Sequence, residues 1–153
     1  MAHRSGLREM TIADVPAVYA IEQAVASGPW GEQLFLDCLK VGYACWVLVD
    51  DIEVTGYAIV SYAANEAHIL QFAIHPNYHR HGLGKKLLQH LLTTAKIHGA
   101  DEMFLEVRQS NIAAMALYKK YSFVEIGVRK GYYPADIEGN PKEDAIMMAL
   151  PLW

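Results

Sequence analysis

His75-Pro76-Asn77-Tyr78-His79-Arg80-His81-Gly82-Leu83-Gly84-Lys85 stands between a strand pattern and a helix pattern, and its reading decides the rest of the chain. Upstream, Ala67 to His75 reads as a strand ended by Pro76. Downstream, Gly82 to His98 carries Leu83, Leu87, Leu88, Leu91, Leu92 and Ala95 on one helical stripe, and Gly99 ends it. A strand, a glycine-containing turn and a helix N-terminus together make an anion site, because unpaired N–H groups and the helix dipole both favour negative charge there. Gly82 and Gly84 let a pyrophosphate approach the backbone, with His81 and Leu83 between and beside them, and Arg80 and Lys85 add positive charge. The stretch lacks the Walker pattern and the third glycine of the dinucleotide fingerprint. A plain turn and helix start is the alternative reading of so short a pattern. His75, His79 and His81 invite a metal reading, but no carboxylate stands beside them and phosphate already accounts for the loop, so no metal is expected.

Outward from this loop the elements fall into place. Ala44 to Asp50 and Glu53 to Ala63 are rich in Val, Ile and Tyr, with turns at Asp50-Asp51 and Asn65-Glu66. Connections this short predict an antiparallel meander. Before it, residues 7–11 form a short strand, and Thr11 with Asp14 resembles a cap for a helix that runs to Ala26 through Val15, Val18, Tyr19, Ile21 and Glu22. Gly28-Pro29 breaks that helix, and Gly31 to Lys40 forms a second with Leu34, Phe35, Cys38 and Leu39 inward. After Gly99 come a strand from Glu102 to Arg108, a helix from Asn111 to Tyr121 capped by Ser110, and a strand from Phe123 to Lys130. A loop from Tyr133 to Glu143 leads to the last strand, Asp144 to Leu150. The order βααβββαβαββ predicts an α/β (α+β) fold: a mixed, mostly antiparallel central sheet flanked by helices, with residues 1–153 as a single domain.

Composition bounds the function. The 153 residues are 53% apolar, enough for a core without metal or disulfide. A net charge of −4 with basic residues unclustered outside the loop argues against a nucleic-acid-binding module. Cys38 and Cys45 form no CxxC pair and read as reduced core thiols. The longest apolar run, Ala44 to Val49, is far short of a membrane span, and MAHRSGLREM lacks a signal core, so a cytoplasmic protein without membrane contact is expected.

At His79-Arg80-His81-Gly82-Leu83-Gly84 the chain resembles the GNAT superfamily of acetyl-CoA-dependent N-acetyltransferases, whose signature after the fourth strand is [QR]-x-x-G-x-[GA]. His79 departs from its first position. The resemblance continues through Leu105-Glu106-Val107-Arg108, Ser110-Asn111, Ala114, Leu117-Tyr118, Pro29-Trp30, Tyr132-Tyr133-Pro134 and Glu143 to Met148, segments similar to the branch that acetylates protein N-termini. Ser122 stands where that branch has glycine, a change worth about 1 kcal/mol if the backbone there is left-handed.

The resemblance implies a division of labour. Backbone groups of Phe72, Ala73 and Ile74 and the loop from Arg80 to Lys85 hold acetyl-CoA, with Asn111 on its pantetheine arm. Glu106 is the general base, directly or through water, and Tyr118 the acid that protonates the departing thiolate. Read from the residues alone, Glu106 could equally be a surface charge or pair with Arg108, Tyr118 could be core, and the strand residues could be ordinary packing. Trp30, Tyr132 and Tyr133 wall the acceptor groove in the resembling family; simple packing of loops is the alternative, and Glu22 is a lesser candidate for the same groove.

The acceptor implied is a protein N-terminal amine, an alanine of a ribosomal protein in particular, met by a monomer or weak dimer. An α-amine with a pKa of about 7.7–8.0 is roughly one-tenth neutral at pH 7, whereas a lysine amine costs about 3.5 kcal/mol more to deprotonate. One glutamate suits the former better. Lysine, a polyamine or another small amine is the rival acceptor. A non-catalytic acyl-CoA sensor is the rival class, opposed by the presence of both Glu106 and Tyr118.

Overall fold

The computed structural model describes residues 5–26, 30–79, 81–135 and 139–153. Strands β1 (Ser5–Glu9), β2 (Ala44–Asp50), β3 (Glu53–Ala63), β4 (Glu66–Ile74), β5 (Glu102–Arg108), β6 (Val124–Tyr133) and β7 (Glu143–Pro151) join helices α1 (Val15–Val25), α2 (Glu32–Val41), α3 (Leu83–His98) and α4 (Ile112–Lys120) in the expected order. The strands form one seven-stranded sheet, β1-β2-β3-β4-β5-β7-β6. Every neighbouring pair is antiparallel except β4 and β5, which need the α3 crossover to run in the same direction.

The sheet carries a core on each face. Ala58, Val60, Leu105 and Val107 turn toward α3 and α4, where Leu87, Leu88 and Leu91 are fully buried. Each such leucine contributes about 1.5–3 kcal/mol by leaving water. Tyr57, Ile59 and Ala73 turn the other way, against Val18 and Ile21 of α1 and Phe35 of α2. Alternation along the strands therefore assigns each side chain to one face or the other.

The two central strands part company halfway. Parallel pairing runs from Glu66↔Glu102 to Ile69↔Leu105 and stops. Beyond it β4 stays with β3 up to Ile74, while β5 stays with β7 up to Arg108. Ile59 pairs with Gln71 and Val60 with Ile69, so Leu70 is an extra residue, a bulge that turns β4 away from β5. The result is an opening in the middle of the sheet beside the glycine loop.

Several local expectations need correction. The first strand is Ser5–Glu9, two residues earlier than expected, and Thr11 starts a 3₁₀ turn (Ile12–Asp14) that leads into α1. Asp14 accepts the Thr11 N–H at 2.8 Å and is paired with Arg8 at 2.7 Å, so this corner is fixed by an ion pair as well as a cap. Leu34 is 41% exposed; Phe35 and Cys38 hold the inner face of α2. Asn111, not Ser110, caps α4, its Oδ1 accepting the Ala114 N–H at 3.2 Å. Tyr132 and Tyr133 belong to β6 rather than to a loop. Ser122 does adopt the left-handed conformation, with φ 74°. The Gly28-Pro29 break lies outside the described residues, as does part of the loop before β7.

Candidate active site

The glycine loop has the geometry of an anion site. Gly82 stands at φ 72° as the residue that opens α3, a backbone state an L side chain adopts only at a cost. The first internal bond of α3 runs from Lys86 N–H to Gly82 O, which leaves the N–H groups of Leu83, Gly84 and Lys85 without helical acceptors. His81, Gly82 and Lys85 are exposed, while Leu83 and Gly84 are half-buried. At Gly84 packing does not require glycine: a Cβ there would lie 3.5 Å from Leu117 Cδ2 and 3.9 Å from Ile74, ordinary contacts that alanine would also fit. Arg80 lies outside the described residues.

The loop histidines are engaged with the backbone. His75 Nδ1 accepts the Asn77 N–H at 3.0 Å. His79 Nε2 lies 2.8 Å from the Ile74 carbonyl, so that nitrogen carries the proton and donates. His79 thus keeps a bond to the end of β4 in spite of its departure from the signature.

The backbone of β4 divides its polar groups between two directions. His75 N–H donates to Thr55 O at 2.7 Å, which sets the alternation of the ladder with β3. Ala73 consequently spends its N–H and C=O on Tyr57, whereas Phe72 turns both of its groups and Ile74 its N–H into the opening, the Ile74 carbonyl being taken by His79. Of the three residues expected to offer backbone, two are placed to do so and Ala73 is not.

Glu106 and Tyr118 flank this opening from opposite faces of the sheet. Leu105 and Val107 face α3 and α4, so Glu106 faces the side of α1 and α2, where its side chain is 17% exposed. Its Oε1 lies 3.5 Å from Arg129 of β6. Arg129 in turn sits 5.4 Å over the Tyr132 ring. Arg108 forms a parallel arrangement, 4.0 Å over the Tyr133 ring and 3.4 Å from Glu143. Glu143 also takes the Ser110 N–H at 2.6 Å; a hydrogen bond from the Ser110 side chain chiefly holds its carboxyl below the usual range, with the Ser110 N–H and Arg108 adding to it.

Tyr118 lies on the other face, buried against Phe72 of β4 (ring centroids 5.9 Å) and Phe123 (5.7 Å). Burial, and secondarily Tyr133, push its phenol well above its ordinary value, so it holds its proton at neutral pH. Burial likewise pushes Tyr133 up to about 12. Asn111 stands about two turns before Tyr118, its Oδ1 taken by the cap and its amide nitrogen left to donate.

The α1 side of the opening has a feature that sequence reading left at the margin. Glu22 is 2% exposed, accepting the Tyr57 hydroxyl at 2.5 Å and the Trp30 backbone N–H at 2.9 Å. Trp30 packs on Phe35 (5.4 Å) and Phe35 on Tyr57 (5.5 Å). The signal was a carboxylate on the inward face of α1 next to Ile21, where a charge needs partners. Arg129 was missed altogether, because only the β5-β7-β6 order brings it to Glu106.

An anion site at a helix start, a split sheet that exposes strand backbone, and a phenol and a carboxylate on either side of the split are features that suit an acyl-CoA-dependent transferase. Residues 15–123 match the Acetyltransferase (GNAT) family, and the chain belongs to that family of acetyl-CoA-dependent N-acetyltransferases. It is 37% identical over 146 residues to the [ribosomal protein bS18]-alanine N-acetyltransferase of Escherichia coli K12, covering 95% of this chain and 97% of that protein. The crystal structure of the Escherichia coli ribosomal-protein-S18-alanine N-acetyltransferase matches with a TM-score of 0.89 at 37% identity, over 97% of this chain and 94% of that one. Ard1 from Thermoplasma volcanium matches with a TM-score of 0.89 at 27% identity, over 97% and 98%. No helix among the described residues is long and apolar enough to cross a membrane.

Proposed function

We propose that this chain acetylates the N-terminal α-amine of a protein, with the alanine terminus of a ribosomal protein as acceptor. The observation that carries the reading is the placement of Glu106 and Tyr118 on opposite faces of the opening between β4 and β5. Full-length similarity to a bS18-alanine acetyltransferase supports the choice of acceptor.

Acetyl-CoA supplies the thioester whose acyl carbon is transferred. The N–H groups at the start of α3, with His81, Gly82, Leu83, Gly84 and Lys85 around them, bind its pyrophosphate, and Arg80 belongs to the same loop. The outward polar groups of Phe72 and Ile74 bond the pantetheine arm and the thioester carbonyl oxygen, and the Asn111 amide adds a donor. The acceptor amine arrives on the α1–α2 face, between Trp30 on one side and Tyr132 and Tyr133 on the other. Glu106 takes a proton from that amine, directly or through one water, as the C–N bond forms. Tyr118 gives its proton to the sulfur as the C–S bond breaks, and the products are the N-acetylated terminus and CoA thiol. The pair of protons lost and gained balances across the sheet.

In this reading residues 1–153 act as one domain in the cytoplasm, on a protein partner and without a metal. Thiol release from acetyl-CoA tests it, with short peptides bearing a free Ala terminus, a blocked terminus, or only a lysine amine. Turnover of the free Ala peptide alone is expected. Turnover of lysine or small amines alone would transfer the same machinery to a different acceptor. Acetyl-CoA binding without turnover of any amine would make the chain an acyl-CoA sensor.

A further inference from the structure

Glu22 is a buried carboxylate that the acetyl-transfer steps do not use. Both of its oxygens are occupied, one by the Tyr57 hydroxyl and the other by the Trp30 N–H. With 2% exposure and a hydrogen bond already on each oxygen, it is not placed to be a second base. The three residues come from three places: Glu22 from α1, Tyr57 from β3, Trp30 from the connection that enters α2. Tyr57 is also the ladder partner of Ala73, directly beside the two residues that open their backbone toward β5. The carboxylate therefore ties the α1–α2 wall to the strand that borders the opening, on the face where Glu106 lies.

Burying a carboxylate is unfavourable unless hydrogen bonds compensate, so a merely structural position would be filled as well by an apolar residue. The neighbours Val18, Ile21 and Phe35 show that this core accepts such residues. What a carboxylate adds is two directed bonds that fix a loop backbone at a set distance from a strand. We propose that Glu22 is a positioning residue that sets the acceptor wall: it holds Trp30 and Tyr57 in register with β4, and so governs binding of the acceptor terminus rather than of acetyl-CoA. The inference rests on the reading of the α1–α2 face as the acceptor side.

The test measures KM for the Ala-initiated peptide and for acetyl-CoA in Glu22→Leu, Tyr57→Phe and Glu22→Gln. Glutamine keeps both links, its carbonyl accepting from Trp30 and its amide donating to the Tyr57 oxygen. Expected is a rise of about tenfold in peptide KM for the Leu and Phe variants, the equivalent of one lost hydrogen bond, with acetyl-CoA KM steady and the Gln variant near wild type. Peptide and acetyl-CoA KM rising together, or neither moving, overturns it. If Glu22→Leu does not fold, the Phe and Gln variants decide by the same outcomes. Hydrogen exchange at the Trp30 amide separates this inference from the acceptor assignment. Should wild type fail to acetylate the peptide, exchange that is slow in wild type and Glu22→Gln but at least about tenfold faster in Tyr57→Phe still upholds the clamp, and equal rates refute it.

Discussion

Glu106 and Tyr118 read differently at the level of single residues. Glu106 was legible as an anomaly, a carboxylate between Leu105 and Val107 in an apolar strand. Tyr118 read from the residues alone as a helix aromatic of the core, the resemblance gave it the acid's role, and it lies buried beside Phe72 at the opening. Glu106→Gln removes the proton acceptor and Tyr118→Phe the donor without changing shape. Each is expected to lower kcat by about 100-fold or more while leaving acetyl-CoA affinity in place, as measured by steady-state rates and calorimetry. Rates near wild type in both would separate these residues from the chemistry. Arg129 could not be found from sequence, since its pairing with Glu106 spans β5 and β6 through β7. Ser122 was singled out only through the resemblance, which has glycine at that position, and its φ of 74° is the left-handed state that a glycine there would favour.

At the level of elements, periodicity located nearly every strand and helix, and the ends moved where long-range partners intervened. β1 starts early because Ser5 to Glu9 pairs with Asp50 to Trp46, and β6 runs on through Tyr133 because Tyr133 pairs with Glu143. Neither partner is local. The end of β4 depends on a close approach that only glycine allows: a Cβ at Gly56 would lie 2.6 Å from Ile74 Cδ1 and 3.0 Å from the Ala73 carbonyl. Gly56→Ala is expected to push the end of β4 outward and raise the KM for acetyl-CoA by about tenfold, with a destabilisation of about 1–3 kcal/mol from overpacking. An unchanged acetyl-CoA KM would mean that the side chain of Ile74 absorbs the clash alone. The corner before α1 gives a pH-dependent test. Arg8 chiefly, then the Thr11 N–H, hold Asp14 below the usual carboxylate range. A depressed folded value means the stabilisation is complete above the unfolded pKa of about 3.9 and is lost as pH falls through the lower, folded one. Arg8 is half exposed, so the pair is worth at most about 1 kcal/mol. Thermal melts of Asp14→Asn should match wild type most closely at the acid end and fall below it above pH 4 to 5, the sign reversed if the pair were destabilising.

For the whole molecule, the sheet order and the opening at its centre were the parts that local pattern could not supply, because both follow from which strands meet. The meander was legible from short connections; the insertion of β7 between β5 and β6 was not. One consequence is that two cores share a single sheet, and they should open together. Cys38 and Cys45 report on the core beside α1 and α2: both are free and buried, and burial pushes the Cys45 thiol up to about 12 and raises Cys38 as well. Neither thiol should react with an alkylating reagent at neutral pH unless that core opens. Acetyl-CoA, bound to the loop before α3, touches neither cysteine in the proposed site. If labelling requires cooperative unfolding of both cores, acetyl-CoA at about 100 times its Kd should slow it about 100-fold, since binding to the folded state alone adds about 2.7 kcal/mol. If α2 instead lifts off the sheet on its own, labelling will ignore acetyl-CoA, and the two cores will count as separate folding units in one sheet. Mass spectrometry of the alkylated protein with and without the co-substrate distinguishes the two.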